Sequence, residues 1–525
     1  MLLKLPPKKT ANAPDKAVSD MEIDSYEVKC DFVVAKITIQ KVRKENVPIY
    51  DVKMPVVSEA TELVLKEIIE KLARVTKVTA EEINDPHKNL MLRSKFFESA
   101  LEEVHGYFPN INDFSQMALA GLIVQRMYGF GKLDIIMADN NLEDVCINRA
   151  DRPVCVYHKQ YGWVKTNVFI DNEEQTYNFA SMIGRKVGRD INSLNPIMDA
   201  HLVTGDRVAA TIFPISSAGN TMSFRRFARS PWTVTHLIEP RKGVMTMEMA
   251  AVLWLALEFE LNILVCGGTA SGKTSVLNAL CALMPKNQRI LSIEDTREFS
   301  LPVDLNWNWV PMCSRAENSE GFGKVSMLDL IVAALRMRPD RIIVGEVRTR
   351  EQAETMFEAM HTGHSVYTTM HADTVEQMAR RLVEPPISIP KNEVEALHII
   401  LVQHRDRMRN VRRTLELAEV LRTSGLESDL KVNYLYRWRP RTDTFENVEE
   451  SIRLIEDITL RTGMTLQEIK KNIEQKKMIL QWLLDNKVYD TNMIGKLMKA
   501  YYMEKGRLLM DVRKNASVED VLAQL

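Results

Sequence analysis

The sequence predicts an α/β protein of two or three domains, one of them an open parallel sheet with a phosphate-binding loop at its strand ends. Two observations predict it. At 525 residues the chain exceeds what one hydrophobic core ordinarily serves. Short apolar runs at 261–266, 290–293, 341–344 and around 365–370 each end in polar residues of the kind that phosphate chemistry uses.

The first run leads into Gly267, Gly268, Thr269, Ala270, Ser271, Gly272, Lys273 and Thr274, followed by Ser275 and helix-forming sequence at 276–284. This is the spacing G-x-x-x-x-G-K-[ST] in its strand-before, helix-after context. The glycines let the backbone turn tightly, so that successive N–H groups and the positive end of the next helix face a phosphate chain. Lys273 adds a mobile charge for the β- and γ-phosphates, and the Thr274 hydroxyl is placed to ligate Mg²⁺. The cofactors expected are therefore ATP and Mg²⁺.

Composition narrows the class. Apolar residues make up 45% and charged residues 26%, with a formal net charge of −1, which is ordinary globular composition with no bulk attraction to nucleic acid or anionic lipid. The six cysteines show no C-x-x-C spacing, which fits reduced thiols in a cytoplasmic protein and argues against a zinc site. The first seven residues are too short an apolar segment for a signal peptide. The longest apolar stretch, 250–257, is followed at once by Glu258 and Glu260, so any membrane association is expected to go through a partner.

In chain order, 1–57 reads as a flexible tail, 1–20, followed by a strand at 32–39. Residues 58–130 read as a helical bundle, with Leu63, Ile68, Ile69 and Leu72 on one face, a capping box at Thr79 and Glu82, and Phe96, Phe97, Leu101 and Val104 continuing the stripe. Residues 131–229 form a mixed α/β lobe, with β-type runs at 154–157 and 209–213 around a helix near 177–188. Two prolines and a glycine make 230–243 a linker, 244–440 is the phosphate-binding domain, and 441–525 is a helical segment with a capping box at Thr465 and Glu468.

The sheet of the third domain delivers more than the loop. Glu294 and Asp295 follow the run 290–293, and Glu346 follows 341–344, so these carboxylates are expected near the bound phosphates, holding metal or orienting water. His361, His364 and His371 fall in eleven residues around the next run. His364 and His371 lie at its opposite ends, which favours hydrogen bonding or γ-phosphate sensing over metal ligation. Arg207, Arg225 and Arg226 are either phosphate contacts or a solvated strand face. Arg405, Arg407, Arg409, Arg412 and Arg413 either pair with acids at a subunit interface or read a nucleic-acid backbone, the latter weakened by the lack of interleaved aromatics.

The loop 267–274, the acidic pair Glu294–Asp295, the ending Gly345–Glu346 and the box from Thr362, Gly363 and His364 to Thr369, Met370, His371 and Ala372 together resemble the type II/type IV secretion ATPase superfamily. Asn195 to Asp199, Gly205 to Arg207 and Arg338 to Arg341 resemble its archaeal branch, most closely the archaellum motor. The likeness covers about 130–420. It implies a RecA-like ATPase domain, a hexameric ring, and ATP at a cleft between two lobes. By this resemblance Lys273 and Thr274 bind phosphate and Mg²⁺, Glu294 and Glu346 share metal and water positioning, and His371 senses the γ-phosphate. Arg207, Arg225 and Arg226 contact phosphates from the N-terminal lobe, and which glutamate is the base stays open. The implied partners are a polytopic membrane platform protein and accessory cytoplasmic archaellum proteins, with no nucleic acid. The alternatives are a pilus-assembly or secretion ATPase, a nucleic-acid translocating ring, and a nucleotide-binding scaffold without turnover.

Overall fold

The computed structural model describes residues 21–523, apart from 44, 56, 76–85, 203, 228, 318–320, 410 and 423–429. The expected tail 1–20 and the expected capping box at Thr79 and Glu82 lie outside the described residues. The chain forms two compact units, the first ending at Arg226 and the second beginning at Phe227.

The first unit contains β1 (Met21–Cys30), β2 (Val33–Lys41), β3 (Ile49–Lys53), β4 (Leu142–Ile147), β5 (Cys155–His158), β6 (Gly162–Thr166), β7 (Ile197–His201), β8 (Arg207–Thr211) and β9 (Thr221–Arg225). Among the described residues they make one sheet in the order β1-β2-β3-β6-β5-β4-β9-β8-β7, in which only the β3–β6 pair is parallel. Helices Glu59–Val75, Pro86–Tyr107 and Asp113–Tyr128 bury Leu65, Ile68, Leu72, Phe96, Ala100, Val104 and Ile123 together, with Ile69, Phe97 and Leu101 half-buried against them; Leu63, expected on this face, is exposed, and Leu65 takes its place in the core.

The 1–57 reading missed two strands, β1 and β3. β1 pairs antiparallel with β2 along its length, yet most of its residues are exposed or half-buried, so burial leaves little imprint on its composition. The turn between them is Asp31 and Phe32, with φ of 47° and 66°, a left-handed pair usually occupied by Asn and Gly. Stacking of Phe32 on Phe97 at 4.6 Å and an Asp31–Arg93 ion pair offset that strain. The turn also lies on helix Asp113–Tyr128 at Gly121, where an added Cβ would stand 1.9 Å from the Asp31 carbonyl oxygen. Gly121→Ala is therefore expected to destabilise the protein by about 1–3 kcal/mol, as overpacked sites do. Denaturant unfolding of the full chain checks this; an unchanged midpoint would show that the hairpin is free to retreat.

The second unit contains β10 (Ile263–Gly267), β11 (Ile290–Glu294), β12 (Trp309–Cys313), β13 (Arg341–Val344), β14 (Ser365–Met370), β15 (Ile399–Asp406), β16 (Val411–Val420), β17 (Val432–Arg439) and β18 (Thr444–Asn447). The order is β12-β11-β13-β14-β10-β15-β16-β17-β18, parallel through β15 and antiparallel beyond it. β10, β11, β13 and β14 are buried along their whole length, as strands covered on both faces must be. Ile263 and Val265 face one core, with helix Met247–Glu258 and the C-terminal helices; Leu264 and Cys266 face the other, with helices Met327–Ala334 and Arg350–His361.

The segment 230–243, expected to be irregular, carries the helical turn Val234–Ile238, whose Val234, Leu237 and Ile238 enter the core. Pro231 and Pro240 bracket this turn instead of breaking it, and Thr233 with His236 closes its start as a capping box. The C-terminal helices Arg453–Thr462, Leu466–Asp485 and Thr491–Arg513 pack on the same face as Trp254, and Thr465 with Glu468 caps the second of them. Lys476 is fully buried between them, bonded to Glu258, to Asn472 Oδ1 at 2.7 Å and to the Tyr501 hydroxyl at 2.8 Å, and burial pushes its pKa down to about 8.

Candidate functional site

The loop 267–272 leaves the C-terminal end of β10 and enters helix Lys273–Cys281, with Gly272 left-handed at the N-cap. Gly267 is required by a close approach: a Cβ there would stand 2.3 Å from the Gln403 carbonyl oxygen of β15. Ala270 holds a left-handed φ of 59°, which costs energy for a residue with a Cβ. Arg412 Nε donates to the Ala270 carbonyl at 3.2 Å.

Lys273 is buried, and its amine donates to Gly267 O at 3.0 Å, to Gly268 O at 3.2 Å and toward His371 Nδ1 at 3.4 Å. Burial, opposed by Glu346, lowers its pKa. His371 follows β14 and Glu346 follows β13, and register places these ends side by side, with Val344 opposite Thr368 and Cys266 opposite Met370. Thr369 Oγ1 to Gly345 O at 2.6 Å and Val347 N to Thr369 O at 2.9 Å lock the two endings together. His371 Nε2 stands 2.9 Å from Glu346 Oε1. Burial and then Lys273 lower the pKa of His371, so the ring is neutral near pH 7. A neutral ring with Nε2–H on the carboxylate leaves Nδ1 as the acceptor facing Lys273. One hydrogen-bonded chain therefore runs from Lys273 through His371 to Glu346.

Glu294 ends β11, beside β13. Its Oε2 accepts from the backbone N–H groups of Glu298 at 2.5 Å and Phe299 at 2.9 Å, whereas Oε1 is buried with no hydrogen-bond partner among the described residues. Burial pushes its pKa up to about 7, the backbone donors resisting. A fixed carboxyl that titrates near neutrality with one bare oxygen is suited to proton transfer.

The structure brings together Lys273, His371 and Glu346, and adds residues that the sequence reading did not single out. Arg348 bonds Glu346 Oε2 at 2.5 Å and Asp295 Oδ2 at 2.8 Å, joining two acidic strand ends. The guanidinium of Arg381 holds the His371 carbonyl, and Asp373 lies against Gly268. Thr274 and Ser275 occupy the first turn of the loop's helix. Glu346, Glu294 and Thr274 offer oxygen donors alone, the hard set that Mg²⁺ takes alongside phosphate and water. No group of three or more His, Cys, Asp or Glu among the described residues is arranged to hold a metal without a nucleotide.

The three upstream arginines belong to the first unit. Arg207 forms a two-pronged pair with Asp199, Arg225 reaches Asp144 at 3.4 Å with most of its side chain exposed, and Arg226 is buried and donates to Leu142 O at 3.3 Å. The cluster around 405–413 spans the β15–β16 hairpin. Arg413 is buried and clasps Asp443, and Arg409 bonds Pro440 O. Arg413 is thus paired inside the fold, whereas the Arg409 side chain stays more than half exposed.

Comparison with known proteins follows the same stretch of chain. A family described as type II/IV secretion system protein matches residues 190–423. The uncharacterized protein MJ0900 of Methanocaldococcus jannaschii is 32% identical over 391 residues, covering 73% of this chain and 69% of that one. The type IV secretion system protein PtlH of Bordetella pertussis is 29% identical over 266 residues, 47% of this chain and 77% of that one. Among solved structures, the ATPase DotB of Yersinia pseudotuberculosis is 16% identical with a TM-score of 0.41, covering 71% of this chain and 93% of that one.

Proposed function

The chain belongs to the type II/IV secretion system protein family, and from that premise we propose that it is an ATP-hydrolysing motor subunit, working as a hexameric ring on a membrane platform protein to assemble or turn an archaellum. The observation that carries the reading is the Lys273–His371–Glu346 chain at the aligned ends of β10, β14 and β13, beside the glycine-rich loop. Backbone N–H groups of the loop and the helix end bind the phosphates. A phosphate oxygen competes with Gly267 O and Gly268 O for the Lys273 amine, and the contact between Lys273 and His371 Nδ1 reports that exchange to Glu346. When bound, Mg²⁺ would supply charge neutralisation, with Thr274 and Glu346 as its protein oxygens. Glu294 takes the proton of the attacking water on Oε1. Arg207 and Arg225 are proposed as further phosphate contacts, and buried Arg226 as the support for the end of β9.

Family membership supports the secretion-type motor, and the archaellum assignment rests on the archaeal-like motifs 195–199, 205–207 and 338–341. No described helix is long and apolar enough to cross a membrane. The test measures ATP turnover of the full chain with vesicles carrying the platform protein, and separately with single- and double-stranded DNA across a salt titration. Stimulation by the vesicles is expected; stimulation by DNA that fades with salt would favour a translocase.

A further inference from the structure

Two adjacent side chains reach in opposite directions from the start of β16. Arg412 Nε donates to the carbonyl of Ala270, the left-handed residue of the phosphate-binding loop. Arg413 Nη1 donates at 2.6 Å to the carbonyl of Lys242, in the segment that follows the turn Val234–Ile238. The next residue continues this grip, since Thr414 N donates to Val244 O at 2.7 Å.

Arg413 is firmly held. It is buried, donates to Asp443 through Nε at 2.7 Å and Nη2 at 2.8 Å, and also bonds the Arg412 carbonyl at 2.9 Å. A planar guanidinium bonded on both edges behaves as a rigid strut. Asp443 is itself fixed by Trp438 Nε1 at 2.8 Å. The far segment is equally well seated: Lys242 pairs with Glu239 at 3.2 Å and lies 4.9 Å from the Trp232 ring centroid, and Gly243 N and Val244 N bond Glu239 O and Leu237 O.

We propose that Arg412 and Arg413 are positioning residues that couple the phosphate-binding loop to the segment 239–244, so that nucleotide at the loop changes how firmly that segment is held. This rests on the loop being a nucleotide site. The physical step is local. A phosphate that draws the loop's N–H groups inward re-aims the Ala270 carbonyl, and Arg412 and Arg413 share one backbone stretch, so the change is felt at Lys242 O. Contiguity alone does not establish coupling, so the test perturbs the link itself.

Hydrogen exchange of the peptide 236–245 is measured in the full chain with and without MgADP, at concentrations shown by titration to saturate each variant. Wild type is expected to show about a tenfold change in exchange rate on saturation. Arg412→Gln and Arg413→Lys, which remove the contact and the fork respectively, are expected to lose it, and Arg409→Gln on the same hairpin to keep it. A saturated wild type without the change, or either of the first two variants keeping the full change, would overturn the proposal. Failure of the wild-type chain to bind MgADP would instead sink the reading of the loop as a nucleotide site.

Discussion

Alanine at Lys273 is expected to lower ATP turnover by about 10²–10³-fold, the loss seen when one preorganised charge or donor is removed from a transition state. The amine is buried and meets three acceptors, Gly267 O, Gly268 O and His371 Nδ1, so its removal strips the loop of its mobile charge and frees His371 from one partner. Circular dichroism of the variant controls for folding, since the helix Lys273–Cys281 gains rather than loses propensity with alanine. Turnover like that of wild type in a folded variant would remove Lys273 from the reaction.

Glu294→Gln is the second large effect. A general base contributes about 10²–10⁴-fold, and the loss is expected in kcat with little change in KM, because glutamine keeps the size and the acceptor for Glu298 N and Phe299 N. The residue titrates at about 7, so wild-type kcat is expected to rise with pH through that value, and the variant to lose this limb. Stability moves the other way. The folded pKa is raised above the ordinary value of 4.5, so the cost of burying the charge is absent below pH 4.5, grows between pH 4.5 and about 7, and is constant above. Glu294→Gln is therefore expected to gain thermal stability over wild type at pH 8 and not at pH 4. If the limb survives in this variant and vanishes in Glu346→Gln, the two glutamates exchange roles.

Placement was legible in the sequence where one residue type has one physical use. The glycine spacing, the lysine and the carboxylates at strand ends appear as read, because parallel strands buried on both faces leave continuous apolar runs that stop where the site begins. Thr465 and Glu468 close a capping box for the same local reason. Contacts set by tertiary pairing were not legible. β1 buries one residue fully, Val28, on a half-buried face that also carries Tyr26 and Cys30, a weak apolar signal; Pro231 and Pro240 look like breakers until the core shows the turn between them, and Arg348 and Arg412 gain meaning only from Asp295 and Ala270, which are distant in sequence.

Release of inorganic phosphate from ATP by the purified full chain, followed with and without Mg²⁺, tests the central claim most directly. Mg²⁺-dependent turnover, lost in Lys273→Ala, is the predicted result; a wild-type chain that binds MgATP and releases no phosphate above that variant, alone or with platform-bearing vesicles, would contradict it.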